Sequence, residues 1–134
     1  MNAHHIPYVS TTYMHMYIYC TCTSTEGVNE YCYCVSSGPP EQMLLVPEPP
    51  SPIDPLDVLR CSAESNPPPS NYQWRDSVEG SIIASGDALL VPRECAGQQV
   101  CVTCVAFNQM KDGAVGQESI SGCYNVSGSV DNSC

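Results

Sequence analysis

Two stretches of the sequence decide the fold: LRCSAESNPPPSNYQW at residues 59–74 and VCVTCVAFN at residues 100–108. Successive side chains of a β-strand point to opposite faces, so Leu59, Cys61 and Ala63 share one face of the first stretch. The same alternation puts four side chains of the second stretch on one face: Val100, Val102, Cys104 and Ala106. Both sets are small and apolar, as the interior between two packed sheets requires.

Further short runs with strand character lie around these two stretches, and turn signals separate them. The predicted strands are Met43–Val46, Val58–Ala63, Tyr72–Arg75, Ser81–Ala84, Ala88–Val91, Val100–Phe107 and Gln117–Val126. The proline-rich residues 47–55 between the first two fit only an edge strand or an extended lead-in. No segment carries a helical period. The sequence therefore predicts an all-β fold, with a β-sandwich as the leading architecture.

Four ordered segments resemble I-set and C2-type immunoglobulin domains. Residues 61–68 match their Cys-x-Ala-x-x-Asn-Pro-Pro pattern and precede a strand that ends in Trp74. GDALLV at residues 86–91 is similar to their strand E, and CVAFN at residues 104–108 to the end of their strand F. The resemblance covers nearly two-thirds of the chain. It implies an immunoglobulin-like antiparallel sandwich with Greek-key connections.

The resemblance also implies a disulfide between Cys61 and Cys104, with Trp74 as the core residue that packs over it. Two departures bear on this pairing. Val102 stands where the family carries the tyrosine of its tyrosine corner. In addition, ECAGQQVC at residues 94–101 fits the family's pattern if Cys101 is the core partner. Cys104 is the predicted partner, and Cys101 remains the alternative.

Hairpin geometry predicts a second disulfide, between Cys101 and Cys123. The last two predicted strands are neighbours that run antiparallel, so if Phe107 faces Gln117, then Cys101 faces Cys123 on the outer side of the sheet. A one-residue bulge in the connecting loop would move Cys123 to the other face. Cys95 and Cys134 are competing partners for Cys101. The sequence leaves the pairing of six cysteines open: Cys20, Cys22, Cys32, Cys34, Cys95 and Cys134.

The N-terminal segment differs in composition from the rest. Residues 13–23, YMHMYIYCTCT, alternate two codon classes in the way a translated dinucleotide repeat does. The predicted organisation is therefore residues 1–38 as a poorly structured or non-native segment, 39–126 as the immunoglobulin-like domain and 127–134 as a tail. Residues 36–40, SSGPP, are interpreted as a linker. The motifs Cys20-x-Cys22 and Cys32-x-Cys34 allow zinc, disulfides or no native role, and we predict no metal site because zinc knuckles use wider spacings.

Charge and motif content exclude several functions. Four basic residues against fourteen acidic ones give a net charge of −10, which argues against nucleic-acid partners and docking on anionic lipid. No apolar run is long enough for direct membrane insertion. All three histidines precede residue 16, so no serine or cysteine dyad can be placed in the domain. The protein is predicted not to be an enzyme and to need no cofactor.

Two kinds of surface feature remain. Asn125-Val126-Ser127 is an N-glycosylation sequon at the end of the last predicted strand. Arg60 and Arg75 are cations on an acidic domain, and an arginine can hold a carboxylate bidentately. The alternative for both Arg60 and Arg75 is an ordinary surface arginine next to a core strand.

Ten cysteines in 134 residues indicate an oxidising compartment, so we expect an extracellular or cell-surface ectodomain. Residues 1–30 hold no signal-peptide pattern, which indicates a fragment or a misassigned start. The predicted function is non-catalytic recognition of a protein partner, homophilic or heterophilic, as in cell-adhesion and receptor proteins. The alternatives are a lectin domain for sialic acid or another carbohydrate, and a gene-model fragment without independent function.

Overall fold

The structure, a computed structural model, describes residues 2–4, 12–13, 16–24, 31–130 and 133–134, with side chains only from residue 37 onward. These residues form twelve β-strands and one 3-10 helix at Arg93–Cys95. The all-β prediction is confirmed. Each predicted strand is found, with ends that differ by one or two residues because turns and strand ends share polar residues.

The first four strands form an antiparallel sheet in which β3 pairs with each of the others. They are β1 (Asn2–His4), β2 (Thr12–Tyr13), β3 (Met16–Ser24) and β4 (Tyr31–Ser37). The backbone register sets Cys20 opposite Cys34 and Cys22 opposite Cys32. Side chains are described only from residue 37 onward. The expectation that residues 1–38 are poorly structured therefore stays a prediction.

The remaining eight strands form two sheets. The three-stranded sheet has the order β10 (Ala88–Leu90), β7 (Val58–Glu64), β5 (Glu41–Val46). The five-stranded sheet has the order β6 (Pro52–Ile53), β12 (Val115–Val126), β11 (Gln99–Gln109), β8 (Asn71–Asp76), β9 (Ile82–Ser85). Neighbours run antiparallel except β6, which pairs parallel to β12. The proline-rich run thus supplies an edge strand, because proline lacks the N–H that a central strand needs.

Both sheets contribute to one core. In β7 burial alternates as predicted, with Leu59 0% and Cys61 3% exposed, and Trp74 of β8 is 0% exposed. On β11 the predicted inward set is buried except Val100, which is partly buried against the core. Val105 differs from expectation: it lies on the outer face but is only 5% exposed. Alternation fixes the face of a side chain, whereas neighbouring side chains decide its burial.

The linker prediction for residues 36–40 is wrong in part, because Ser37, Gly38 and Pro40 are buried. Asn108 Nδ2 donates to Gly38 O at 2.8 Å. The tail is also attached, since Cys134 is disulfide-bonded to Cys95. Gly and Pro mark interruptions of regular structure, and they do not reveal whether the chain packs there.

Candidate interaction surfaces

The outer surface of the three-stranded sheet is apolar. Strand alternation turns five aliphatic side chains away from the core, and we call them the aliphatic face: Leu44, Val46, Val58, Ala88 and Leu90. The four larger ones are exposed to 48% (Leu44), 50% (Val46), 43% (Val58) and 56% (Leu90). A contiguous group of aliphatic side chains exposed to this extent is typical of a contact surface.

Arg60 lies in the middle of the aliphatic face. The register sets it between Val46 of β5 and Ala88 of β10. Its side chain is exposed, and no carboxylate of the described residues pairs with it. An arginine stem can lie along apolar surface while the guanidinium stays available for a carboxylate of a partner. The face therefore offers one charge-specific contact within an apolar surround.

A groove opens where the two sheets separate, between β9 and β10. Its volume is about 600 Å³, and its lining includes Val78, Ile83, Val91 and Val102. Val78 and Ile83 are exposed to 86% and 48%, so apolar surface at its mouth is open to solvent. Asp76 and Glu94 line the same groove, and among the described residues it has no Lys or Arg in its lining. The groove is apolar and carries acidic groups.

The outer surface of the five-stranded sheet is polar by contrast. Thr103 Oγ1 shares hydrogen bonds with Ser77 Oγ at 2.8 Å and with Ser121 Oγ at 2.7 Å, which gives a row of hydroxyls across three segments. Arg75 lies in a shallow depression of about 310 Å³ beside this row. Its Nη2 donates to Gln73 Oε1 at 3.1 Å, and its Nε is buried without a hydrogen-bond partner among the described residues.

Asp76 and Glu118 line the same depression. The backbone N–H groups of Glu79 and Val78, which donate to Asp76 Oδ1 at 2.9 and 2.8 Å, hold the pKa of that carboxyl below its ordinary value. Asp76 is therefore an anion at neutral pH. Its charge weakens the attraction of the Arg75 guanidinium for an anionic ligand in the same depression.

Three disulfides lie among the described side chains. Cys61 of β7 is joined to Cys104 of β11 with a Cα–Cα distance of 6.5 Å, and this bond connects the two sheets. Trp74 lies directly opposite Cys104 in the register and belongs to the same buried cluster, and its Nε1 donates to Gly86 O at 2.9 Å. These are the residues that the immunoglobulin resemblance implies.

The other two disulfides involve the outer face and the C-terminus. The β11–β12 register sets Phe107 opposite Gln117 and Cys101 opposite Cys123, so the predicted register is confirmed. Cys101 and Cys123 are joined, with Cα atoms 4.0 Å apart. Cys95 is joined to Cys134 instead of competing for Cys101. That pairing had no sequence signal, because only the folded chain brings the last residue to the 3-10 helix.

Sequence reasoning missed the burial of Tyr124 and of Asn108. Tyr124 is 0% exposed and its hydroxyl donates to Pro47 O at 2.7 Å. Asn108 is 1% exposed and donates to Gly38 O and to Pro67 O. Asn125 of the sequon is exposed at the end of β12, where an enzyme can reach it. The four N-terminal cysteines lie outside the described side chains.

None of the described residues belongs to a helix of the length and apolarity that crossing a bilayer requires. Neither models of known protein families nor curated proteins match the sequence.

Proposed function

We propose that residues 39–126 form an immunoglobulin-like sandwich. Several features support the proposal. The chain passes from one sheet to the other between β7 and β8 and returns between β9 and β10. A disulfide joins the two sheets at Cys61 and Cys104, and the buried Trp74 lies beside it. An inter-sheet disulfide with a buried tryptophan is a hallmark of immunoglobulin domains.

The domain is an extracellular, non-catalytic recognition module that binds another protein. The aliphatic face carries this proposal, because exposed aliphatics around a single arginine suit a protein contact better than a small-molecule site. Three disulfides among the described residues favour an oxidising compartment. The partner is heterophilic: two copies face to face would oppose their Arg60 side chains and bring together two charges of −10.

The test is binding to a panel of recombinant cell-surface ectodomains, with the secreted chain multimerised and measured by surface plasmon resonance. Val46→Asp and Val58→Asp each place a charge in the aliphatic face without touching the core. Each is expected to weaken binding of the identified ectodomain by about tenfold or more. Val115→Asp is the matched control, since Val115 is 66% exposed and lies on β12 in the other sheet.

Failure of every ectodomain to bind, or equal binding by the wild type and both aspartate variants, contradicts the proposal. Circular dichroism of each variant shows that the two sheets are intact. Arg60→Ala adds a further distinction. It is expected to remove the salt dependence of binding if a partner carboxylate meets Arg60.

Carbohydrate binding is the second candidate, and Arg75 favours it. The depression beside Arg75 is bordered by the hydroxyl row, and no carboxylate of the described residues pairs with the guanidinium. Guanidinium and hydroxyl groups are the donors that a sugar carboxylate and sugar hydroxyls need. A glycan array tests this. The wild type is expected to bind arrayed sialosides, and the Arg75→Ala variant is expected to lose that binding. Binding that survives this substitution rules out Arg75 as the sugar site.

A further inference from the structure

Strand β10 has one edge that no other described strand pairs with. Among the described residues, β7 is the only strand that pairs with it. Cys61 N donates to Asp87 O and Val91 N to Asp57 O, so residues 87 and 91 point their backbone groups at β7. Hydrogen-bonded residues alternate along an antiparallel ladder, and the backbone N–H and C=O of Ala88 and Leu90 therefore point away from β7. Such an edge is a template for a further strand.

The surroundings of this edge are apolar on both sides of the sheet. The groove between the sheets lies beside β10 on the core side, and Val91 and Val102 form part of it. On the outer side, Leu90 and Ala88 belong to the aliphatic face. A strand added next to β10 would place alternate side chains into the groove and onto the aliphatic face. Both sets would bury apolar surface.

The acidic residues of the groove indicate which kind of segment would bind beside β10. The groove is lined by Asp76 and Glu94, without a Lys or Arg among the described residues, and the chain carries a net charge of −10. A second copy of the chain would bring the same negative charge and is disfavoured. Basic residues at the ends of an added strand would be attracted to the acids along the groove.

We propose that β10 is the acceptor for an extended segment of a partner protein, which adds as a strand and has an aliphatic centre with basic flanks. The inference rests on the proposed recognition function and names the partner's chemistry. Main-chain hydrogen bonds to Ala88 and Leu90 supply affinity, and the groove supplies selectivity for the partner's inward side chains.

The experiment uses the full chain and a fluorescent peptide, KRVTVIVTKR, measured by anisotropy. The peptide is expected to bind below about 1 mM and to lose affinity as salt rises. Two matched peptides are controls: EEVTVIVTEE keeps the aliphatic centre and reverses the flanking charge, and a version N-methylated at alternate residues keeps the side chains but lacks the edge-facing N–H groups. Each is expected to bind at least about tenfold more weakly.

Two substitutions locate the site on the protein. Leu90→Pro removes both the outward N–H and the side chain, whereas Leu90→Ala removes the side chain alone. A larger loss in the proline variant assigns the difference to strand pairing. Because Leu90→Pro could also disturb folding, hydrogen exchange of the wild type is measured with and without peptide. The peptide is expected to slow exchange of the Ala88 and Leu90 amides.

Absence of binding by KRVTVIVTKR at about 1 mM overturns the inference. So does equal binding by the N-methylated or acidic peptide, or unchanged exchange at Ala88 and Leu90 in the bound state. The recognition function is tested separately by Val46→Asp and Val58→Asp, which leave the backbone edge of β10 unchanged. An ectodomain that binds the wild type but not Val46→Asp, and that leaves exchange of the Ala88 and Leu90 amides unchanged, would uphold the recognition function and refute strand addition.

Discussion

Tyr124 and Asn108 are the polar residues that tie the start of the domain to its last two strands. Tyr124 reaches back to Pro47 O and Asn108 to Gly38 O, over sequence separations of 77 and 70 residues. The two acceptor carbonyls lie just outside β5: Gly38 precedes the strand and Pro47 follows it. Buried donors of this kind must be satisfied, and together they fix the path of residues 38–47.

Tyr124→Phe keeps the ring and removes the hydroxyl, so the free energy of unfolding is expected to fall by about 1 kcal/mol at pH 7. Burial raises the pKa of Tyr124 above its ordinary value. The unfolded chain therefore loses this proton first as the pH rises past about 10, and the stabilisation is present below that pH and lost above it. Urea unfolding at several pH values measures both effects. The difference between wild type and variant should narrow above about pH 10, and a difference that widens contradicts the assignment.

Some single residues could be predicted from sequence and others could not. Cys61 was predicted to face inward because the side chains of a strand alternate, and the resemblance to immunoglobulin domains implied its pairing with Cys104 and the role of Trp74. Cys101 and Cys123 were predicted because one turn sets a register over the whole hairpin. Tyr124 and Asn108 were missed because their acceptors are distant backbone carbonyls, which carry no side-chain signal.

At the scale of elements, β12 contains a glycine that lets another segment approach. A Cβ at Gly122 would collide with the ring of Pro49 and would meet Leu45 Cδ1 at 3.3 Å. Glycine inside a strand often marks such a close approach of another part of the chain. The proline-rich lead-in can therefore pack against β12 only because residue 122 has no side chain.

Gly122→Ala is expected to lower the free energy of unfolding by about 1–3 kcal/mol, because the added methyl displaces Pro49. Ser119→Ala is the control on the same strand, where the side chain is exposed. Chemical denaturation of both variants provides the measurement. If Gly122→Ala is as stable as Ser119→Ala, then Pro49 does not pack where the structure places it.

The disulfides of β11 differ in the elements that they join. Cys61–Cys104 connects two sheets over a sequence separation of 43, whereas Cys101–Cys123 connects neighbouring strands over 22. In the chain-entropy account these loops contribute about 4 and about 3 kcal/mol. Replacing both members of each pair by alanine or serine should therefore cost more for Cys61 and Cys104. Thermal unfolding of the two double variants checks this order. A lower melting temperature for the variant without Cys101 and Cys123 would contradict the chain-entropy account.

At the scale of the whole molecule, the two sheets present different surfaces to solvent. The outer surface of the three-stranded sheet is aliphatic. The outer surface of the five-stranded sheet carries hydroxyl groups, and Asn125 lies near the end of its strand β12. The sequence predicted two sheets from alternation and turns. It could not predict the groove beside β10, because the number of strands in each sheet depends on which edges remain open after folding, and no local pattern records that.

Secretion from a eukaryotic cell is expected to add an N-linked glycan at Asn125, since the side chain is exposed within a sequon. Gel mobility before and after glycosidase treatment measures the occupancy. Asn125→Gln should run at the deglycosylated position and bind partners as the wild type does, because Asn125 lies outside the aliphatic face. Unmodified wild-type protein from such a cell would contradict the prediction.

The three described disulfides overlap along the chain: one spans residues 61–104, another 95–134, and the third, 101–123, lies inside the second. Together the first two leave no peptide bond between residues 61 and 134 uncovered. A protease that cuts any single bond in this range, for example in the exposed turn around Asp112, would leave both pieces attached through sulfur. Such a nicked molecule would migrate as one species on a non-reducing gel and separate into fragments only after reduction. A domain joined in this way can lose the continuity of its backbone in a protease-rich environment and still release no part of its two sheets.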